Sequence, residues 1–173
     1  MTVEISSPDL LHSRKAVDFG VGFYVTPVLE QAEKWSEKRK RRTGNAVISK
    51  YKFDEISAGN LKMLRFDSYS EMWLDFIVRC RNLKDDTNWD IVAGGVVNDK
   101  VFDTIEAFFD GFATKEQTIA KLRMEEPNMQ FCFRTEAALN ALRFIGSEMT
   151  GCNYETDNPP LPCHHPNNGR SNT

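Results

Sequence analysis

Two glycines stand ahead of a short strand pattern rather than behind one. In Gly20-Val21-Gly22-Phe23-Tyr24-Val25-Thr26-Pro27, residues Val21 to Thr26 alternate faces as a strand does. Thr26-Pro27 then opens a helix, with Thr26 as N-cap and Pro27 in the first helical position. This order excludes a Rossmann phosphate turn, which needs its glycines after a strand and a third glycine that is missing here. A bare backbone at a strand entry instead lets another group approach closely. Adjacent strand residues point to opposite faces, so Phe23 and Tyr24 place one ring in the core and one outside it. An outward Tyr24 beside glycine-lined backbone can stack on a flat ligand. On spacing alone, a core strand with a glycine bulge is the more economical reading.

The remaining patterns define an α+β chain. Residues 1–19 read as a lead-in with a turn at Ser7-Pro8-Asp9. Val28, Ala32 and Trp35 follow at helical spacing, and Gly44 stops that helix. Ala46 to Phe53 is a strand with Val47, Tyr51 and Phe53 on one face. Ser70 caps a helix carrying Trp73, Phe76, Ile77 and Cys80 at i, i+3, i+4 and i+7. Trp89 to Val92 is a short strand running into Gly94-Gly95. Asp99 caps a helix with Val101, Phe102, Ile105, Phe108, Phe109 and Phe112 directed inward. Thr114-x-x-Gln117 is a capping box for the next helix. Met129, Phe131 and Phe133 share one face of a strand, and Gln130 and Cys132 take the other. Thr135 caps a last short helix through Leu142. Scattered strands among amphipathic helices favour α+β over a regular βαβ alternation. The pattern divides the chain into a domain over 1–149 and a polar, disordered tail over 150–173.

Charge and composition narrow the function classes. The chain has 173 residues and a net charge of -3, so no global field recruits nucleic acid or anionic membrane. No apolar run approaches the roughly 18 residues of a membrane span. Met1 to Ser7 is polar and carries Glu4, unlike a signal peptide. Cys80 and Cys132 sit in apolar patterns as reduced buried thiols, which fits a cytoplasmic location. Cys152, Cys163, His164 and His165 have metal-binding chemistry but irregular spacing, so no metal site is assigned. Lys38-Arg39-Lys40-Arg41-Arg42 reads as the solvated end of a helix, where the dipole favours cations. Asp75 is placed to pair with Arg79 at i+4.

Several short motifs, in order, resemble a bacterial family known only as a domain of unknown function and grouped with the ADP-ribosyltransferase folds. They are Ser13-Arg14, Asp18-Phe19-Gly20-x-Gly22-Phe23-Tyr24-x-Thr26 and Gln31-Ala32-x-x-Trp35. Next come Trp73-Leu74-Asp75-Phe76 with Arg79 or Arg81, then Asp90-Ile91-Val92-x-Gly94 and Asn98-Asp99. Gln130-x-Cys132-Phe133-x-Thr135-Glu136-x-Ala138-Leu139 completes the series.

The resemblance implies a split β-sheet core with surrounding helices and a cleft that holds NAD as substrate. It implies that Tyr24 stacks on nicotinamide and that Gln130, or less directly Glu136, holds the nicotinamide ribose. Arg14 would pair a phosphate through its planar fork. Asp18, Gly22 and Asp99 fall in the matched segments and are assigned to NAD with them; Asp99 would act through a helix start. The family opens with an aromatic-His-Gly-Ser strand just ahead of a Val-Glu-Ile-like stretch. Here Met1-Thr2-Val3-Glu4-Ile5 begins the chain, which implies either that the start codon is misplaced or that the His-bearing strand is lacking. His12 lies in the lead-in loop and does not replace it. Gln130 cannot act as a general base, so catalysis is expected to be impaired.

The expected function is mono-ADP-ribosyl transfer by a bacterial toxin or phage-defence effector. An antitoxin protein is the expected partner, and the acceptor is a protein or nucleic acid. The alternative is an inactive interaction module of the same fold. A third class is a nucleic-acid binder working through residues 38–42.

Overall fold

The computed structural model describes residues 4–97, 99–124 and 128–150, the side chains at positions 99, 100 and 150 excepted. In chain order the elements are β1 (Phe23–Val25), α1 (Leu29–Thr43), β2 (Ala46–Phe53), β3 (Met63–Arg65), α2 (Glu71–Arg81) and β4 (Ile91–Gly95). They continue with α3 (Asp99–Phe109), α4 (Lys115–Leu122), β5 (Met129–Phe133), α5 (Glu136–Leu139) and β6 (Leu142–Thr150). One sheet has the order β1-β5-β4-β3, and a second pairs β2 with β6. Only β3 and β4 are parallel; the other ladders are antiparallel. Helices and two sheets without βαβ repetition make this an α+β fold.

Local chemistry starts three of the helices. The Ser70 hydroxyl accepts the Trp73 amide at 3.2 Å. Thr135 accepts the Ala138 amide at 3.2 Å. Thr114 forms the full capping box, with its amide donating to Gln117 Oε1 at 2.9 Å. Thr114→Ala is therefore expected to lower unfolding stability by about 1 kcal/mol, measurable by urea denaturation; a change under a few tenths would show that the box adds nothing here.

The start of α1 departs from expectation. Its N-cap is Val28, with no side-chain cap. The Thr26 hydroxyl instead donates to the Met129 carbonyl at 2.9 Å and accepts the Val28 amide at 3.1 Å. Thr26 thus ties the strand-to-helix turn to β5.

Strand β5 separates two apolar layers because its residues alternate faces. Cys132 faces a core built with Phe19, Trp73, Phe76, Ile77 and Ile105. Phe131 and Phe133 face the second sheet, where Phe53 meets Phe133 edge-on at 5.8 Å. Phe23 meets Tyr51 in the same way at 5.6 Å. Along β4 a Cβ at Gly95 would collide with the Tyr69 ring, and one at Gly94 would crowd Phe19 and Phe66.

Several further expectations are corrected. Phe102, Phe109 and Phe112 are 39%, 42% and 84% exposed, so the stripe on α3 is only partly inward; Val101 and Ile105 are the buried residues. Asp75 pairs with Lys115 at 2.7 Å rather than with Arg79. The last helix ends at Leu139, and Leu142 already belongs to β6. Strands β3 and β6 were not expected. The polar tail beyond 150, with Cys152, Cys163, His164 and His165, lies outside the described residues. No helix among the described residues is long and apolar enough to cross a membrane.

Candidate functional site

Four segments distant in sequence meet at Asp18. One carboxylate oxygen pairs with Arg81 Nη2 at 2.7 Å. The other accepts the Val97 amide at 3.2 Å and the Gln130 side-chain amide at 3.2 Å. Asp18 comes from the lead-in loop, Arg81 from the end of α2, Val97 from the turn after β4, and Gln130 from β5. The alternation of β5 sends Gln130 to the face shared with Cys132, and Gln130 is 4% exposed. Because Gln130 spends its NH₂ on Asp18, its Oε1 is left as the acceptor end of the amide. The Arg81 guanidinium lies over the Phe102 ring at 5.4 Å. Arg81 Nε is buried without a hydrogen-bond partner.

An open groove of about 400 Å³ adjoins this cluster through Val97. Its other wall is α1, which contributes Glu30, Gln31, Lys34, Trp35 and Lys38. Gln31 is 6% exposed. Its Nε2 donates to the Met129 carbonyl at 3.4 Å, and its Oε1 is buried with no partner. An unpaired buried acceptor costs roughly 1–3 kcal/mol, so a donor brought to Gln31 by a ligand would recover that cost. Trp35 is 41% exposed and offers a flat ring beside it. Lys34 pairs with Glu30 at 2.7 Å on the surface.

Asp18 and Gln130, expected at the site, do come together. Neither lines the groove, and neither does Tyr24 close behind them. Its hydroxyl donates to the Gly20 carbonyl at 2.7 Å and accepts the Phe19 amide at 3.0 Å. Tyr24 thereby pins the loop that carries Asp18. Burial, with Cys132 beside it, pushes the Tyr24 phenol far above its ordinary value, so it stays a neutral donor.

Gly22 faces β5, with Cys132 Sγ and the Phe133 carbonyl where a Cβ would stand. Arg14 is exposed on the lead-in loop. Ser13, before it, donates to the Gly22 carbonyl at 2.9 Å. The Asp99 side chain lies outside the described residues, while its backbone opens α3. Glu136 sits in the first turn of α5. Burial pushes the Cys80 and Cys132 thiols up to about 12, so neither supplies a thiolate at neutral pH. Among the described residues no group of three or more His, Cys, Asp or Glu side chains is placed to hold a metal ion.

Gln31, Trp35 and Arg81 lie in the matched motifs but had no assigned role. One signal was legible: Gln31 is a polar residue at i+3 from Val28, on a face otherwise read as apolar. Its lack of a partner is visible only in the fold.

No curated protein and no solved structure matches the chain. A family model described as "Protein of unknown function (DUF3990)" matches residues 1–144, and the chain belongs to that family.

Proposed function

We propose that this protein binds NAD in the α1 groove and is a mono-ADP-ribosyltransferase-like protein of the toxin or phage-defence kind. The observation that carries the reading is the buried, unpartnered Gln31 Oε1 beside the exposed Trp35 ring. An acceptor at that depth calls for an N–H donor on a flat ring system, which the nicotinamide carboxamide supplies. Trp35 stacks on that ring, in the place the sequence assigned to Tyr24. Tyr24 becomes a positioning residue that holds the Asp18 loop. Lys38 at the groove wall faces the pyrophosphate, while Lys34 is held by Glu30. Gln130, 4% exposed and like Tyr24 not lining the groove, serves by holding Asp18 behind it.

Transfer then breaks the C1′–N bond, whose electron pair goes to the nicotinamide nitrogen. The acceptor's lone pair forms the new bond to C1′, and its proton passes to water. Gln130 cannot take that proton, and Asp18 is engaged by Arg81. This arrangement supports slow chemistry on an acceptor that needs little activation.

Calorimetry with NAD tests the reading directly, and a saturable heat is expected. Trp35→Ala should weaken binding by about 1–3 kcal/mol, the range for base–aromatic stacking. Neither the fully buried Trp73 nor the half-buried Trp89 lines the groove, so quenching of tryptophan emission by NAD should vanish with Trp35→Phe. Absence of heat from the unaltered chain would favour the second reading, an inactive interaction module, which the amide at Gln130 supports. NAD binding that is indifferent to Trp35→Ala would place the ligand elsewhere.

A further inference from the structure

The groove-lining face of α1 does not end at the groove. Gln31, Lys34, Trp35, Lys38, Arg41 and Arg42 follow at i, i+3, i+4, i+7, i+10 and i+11. At 3.6 residues per turn these positions form one continuous face. The first four line the groove. Arg41 and Arg42 are exposed beyond it, and no salt bridge pairs either with an acidic side chain among the described residues. The helix dipole accounts for cations in the last turn. Lys34 is accounted for by its ion pair with Glu30; Arg41 and Arg42 are the exposed cations at the far end of the face. Residues 38–42 carry five positive charges in a chain whose net charge is -3, so the positive field is local to this end of α1, with Lys38, Arg41 and Arg42 on the groove side.

We infer that the acceptor presented to the NAD groove is a single-stranded nucleic acid, with Arg41 and Arg42 holding its phosphates. The role as acceptor rests on the NAD reading; the binding itself does not. A single strand fits better than a duplex, because an unpaired base can reach the mouth of the groove without first being extracted from a stack. Arginine supplies the planar fork that suits phosphate oxygens.

The experiment measures binding of end-labelled 20-nucleotide RNA and oligo-dT to the full chain without NAD, by anisotropy across a salt series. The expected result is saturable binding that weakens as salt rises. Arg41→Gln/Arg42→Gln should reduce the slope of log affinity against log salt by about 1.4, at roughly 0.7 for each phosphate that is no longer neutralised. The same double variant should keep wild-type heat with NAD, which also shows that it is folded. Three results would overturn the inference: affinity flat with salt, an unchanged slope in the double variant, or a polyglutamate peptide bound as tightly as the oligonucleotides. Failure of NAD binding with salt-dependent oligonucleotide binding retained would sink the NAD reading and leave this surface standing.

Discussion

Gly22→Ala is expected to lower unfolding stability by about 3 kcal/mol or to leave the chain insoluble. A Cβ at Gly22 would stand 2.3 Å from Cys132 Sγ and 2.7 Å from the Phe133 carbonyl oxygen. The second contact is with backbone, which cannot rotate aside. Strand β1 can pair with β5 only while position 22 is bare; Phe23 meets Phe133 one residue later. Overpacking of a well-filled site costs typically 1–3 kcal/mol and occasionally more, and here the obstacle sits at a sheet ladder. Urea denaturation of the alanine variant checks this, with Gly111→Ala as a comparison. That glycine has nothing within 4 Å of its added Cβ, though its φ of +75° adds backbone strain. A Gly22→Ala protein as stable as the unaltered chain would mean that β1 has room to move away from β5.

Asp85→Ala should cost about 3–5 kcal/mol, because it strands a buried arginine. The Asp85 and Arg134 side chains are paired and only 5% and 13% exposed. Thr87 completes the group, donating its hydroxyl to Asp85 at 2.8 Å and accepting Arg134 Nη1 at 3.2 Å. The same arginine's backbone amide donates to the Asp90 carbonyl at 2.8 Å, and its guanidinium lies over Phe76. The pair therefore fixes the end of β5 against the loop after α2.

Burial raises the Asp85 carboxyl, and the Thr87 hydrogen bond and the Arg134 guanidinium outweigh it, leaving the value below the ordinary 3.8. A depressed carboxylate contributes stability above its unfolded pKa and loses it as pH falls through the folded value. Acid unfolding of the native protein should thus include a component below pH ~3.9 that disappears in Asp85→Ala. Stability measured from pH 7 down to pH 2 on both proteins decides the point. A variant within 1 kcal/mol of the native chain at pH 7 would show that Arg134 finds water or another partner.

Where a signal is local, the amino-acid order carried the fold. The α2 stripe of Trp73, Phe76, Ile77 and Cys80 is a one-helix pattern, and every member is buried. The caps at Ser70, Thr114 and Thr135 are decided within three residues, and each forms. The β5 alternation sent Gln130 and Cys132 to one face. Failures cluster where the deciding partner is remote. Strand β6 pairs with β2, so that Ala46 meets Thr150 and Phe53 meets Leu142. Leu139 and Leu142 at i+3 suit a helix equally well until that partner is present. The outward phenylalanines of α3 form a helical stripe too wide for the core available to it.

The segment from Gly20 to Thr26 determined by its sequence that a glycine-flanked strand precedes a helix, and that two aromatic rings must part to opposite faces. The resemblance also assigned Asp18 and Gln130, separately, to the NAD site. Only the tertiary structure decided that Gly22 is bare for β5, that Tyr24 bonds its own loop, and that Arg81 closes on Asp18. Only it buried Gln31 without a partner beside Trp35. The physical reason is that strand and helix periodicity are properties of neighbouring residues. Burial of a polar atom depends instead on which distant segment covers it, and whether that segment brings a hydrogen-bond partner.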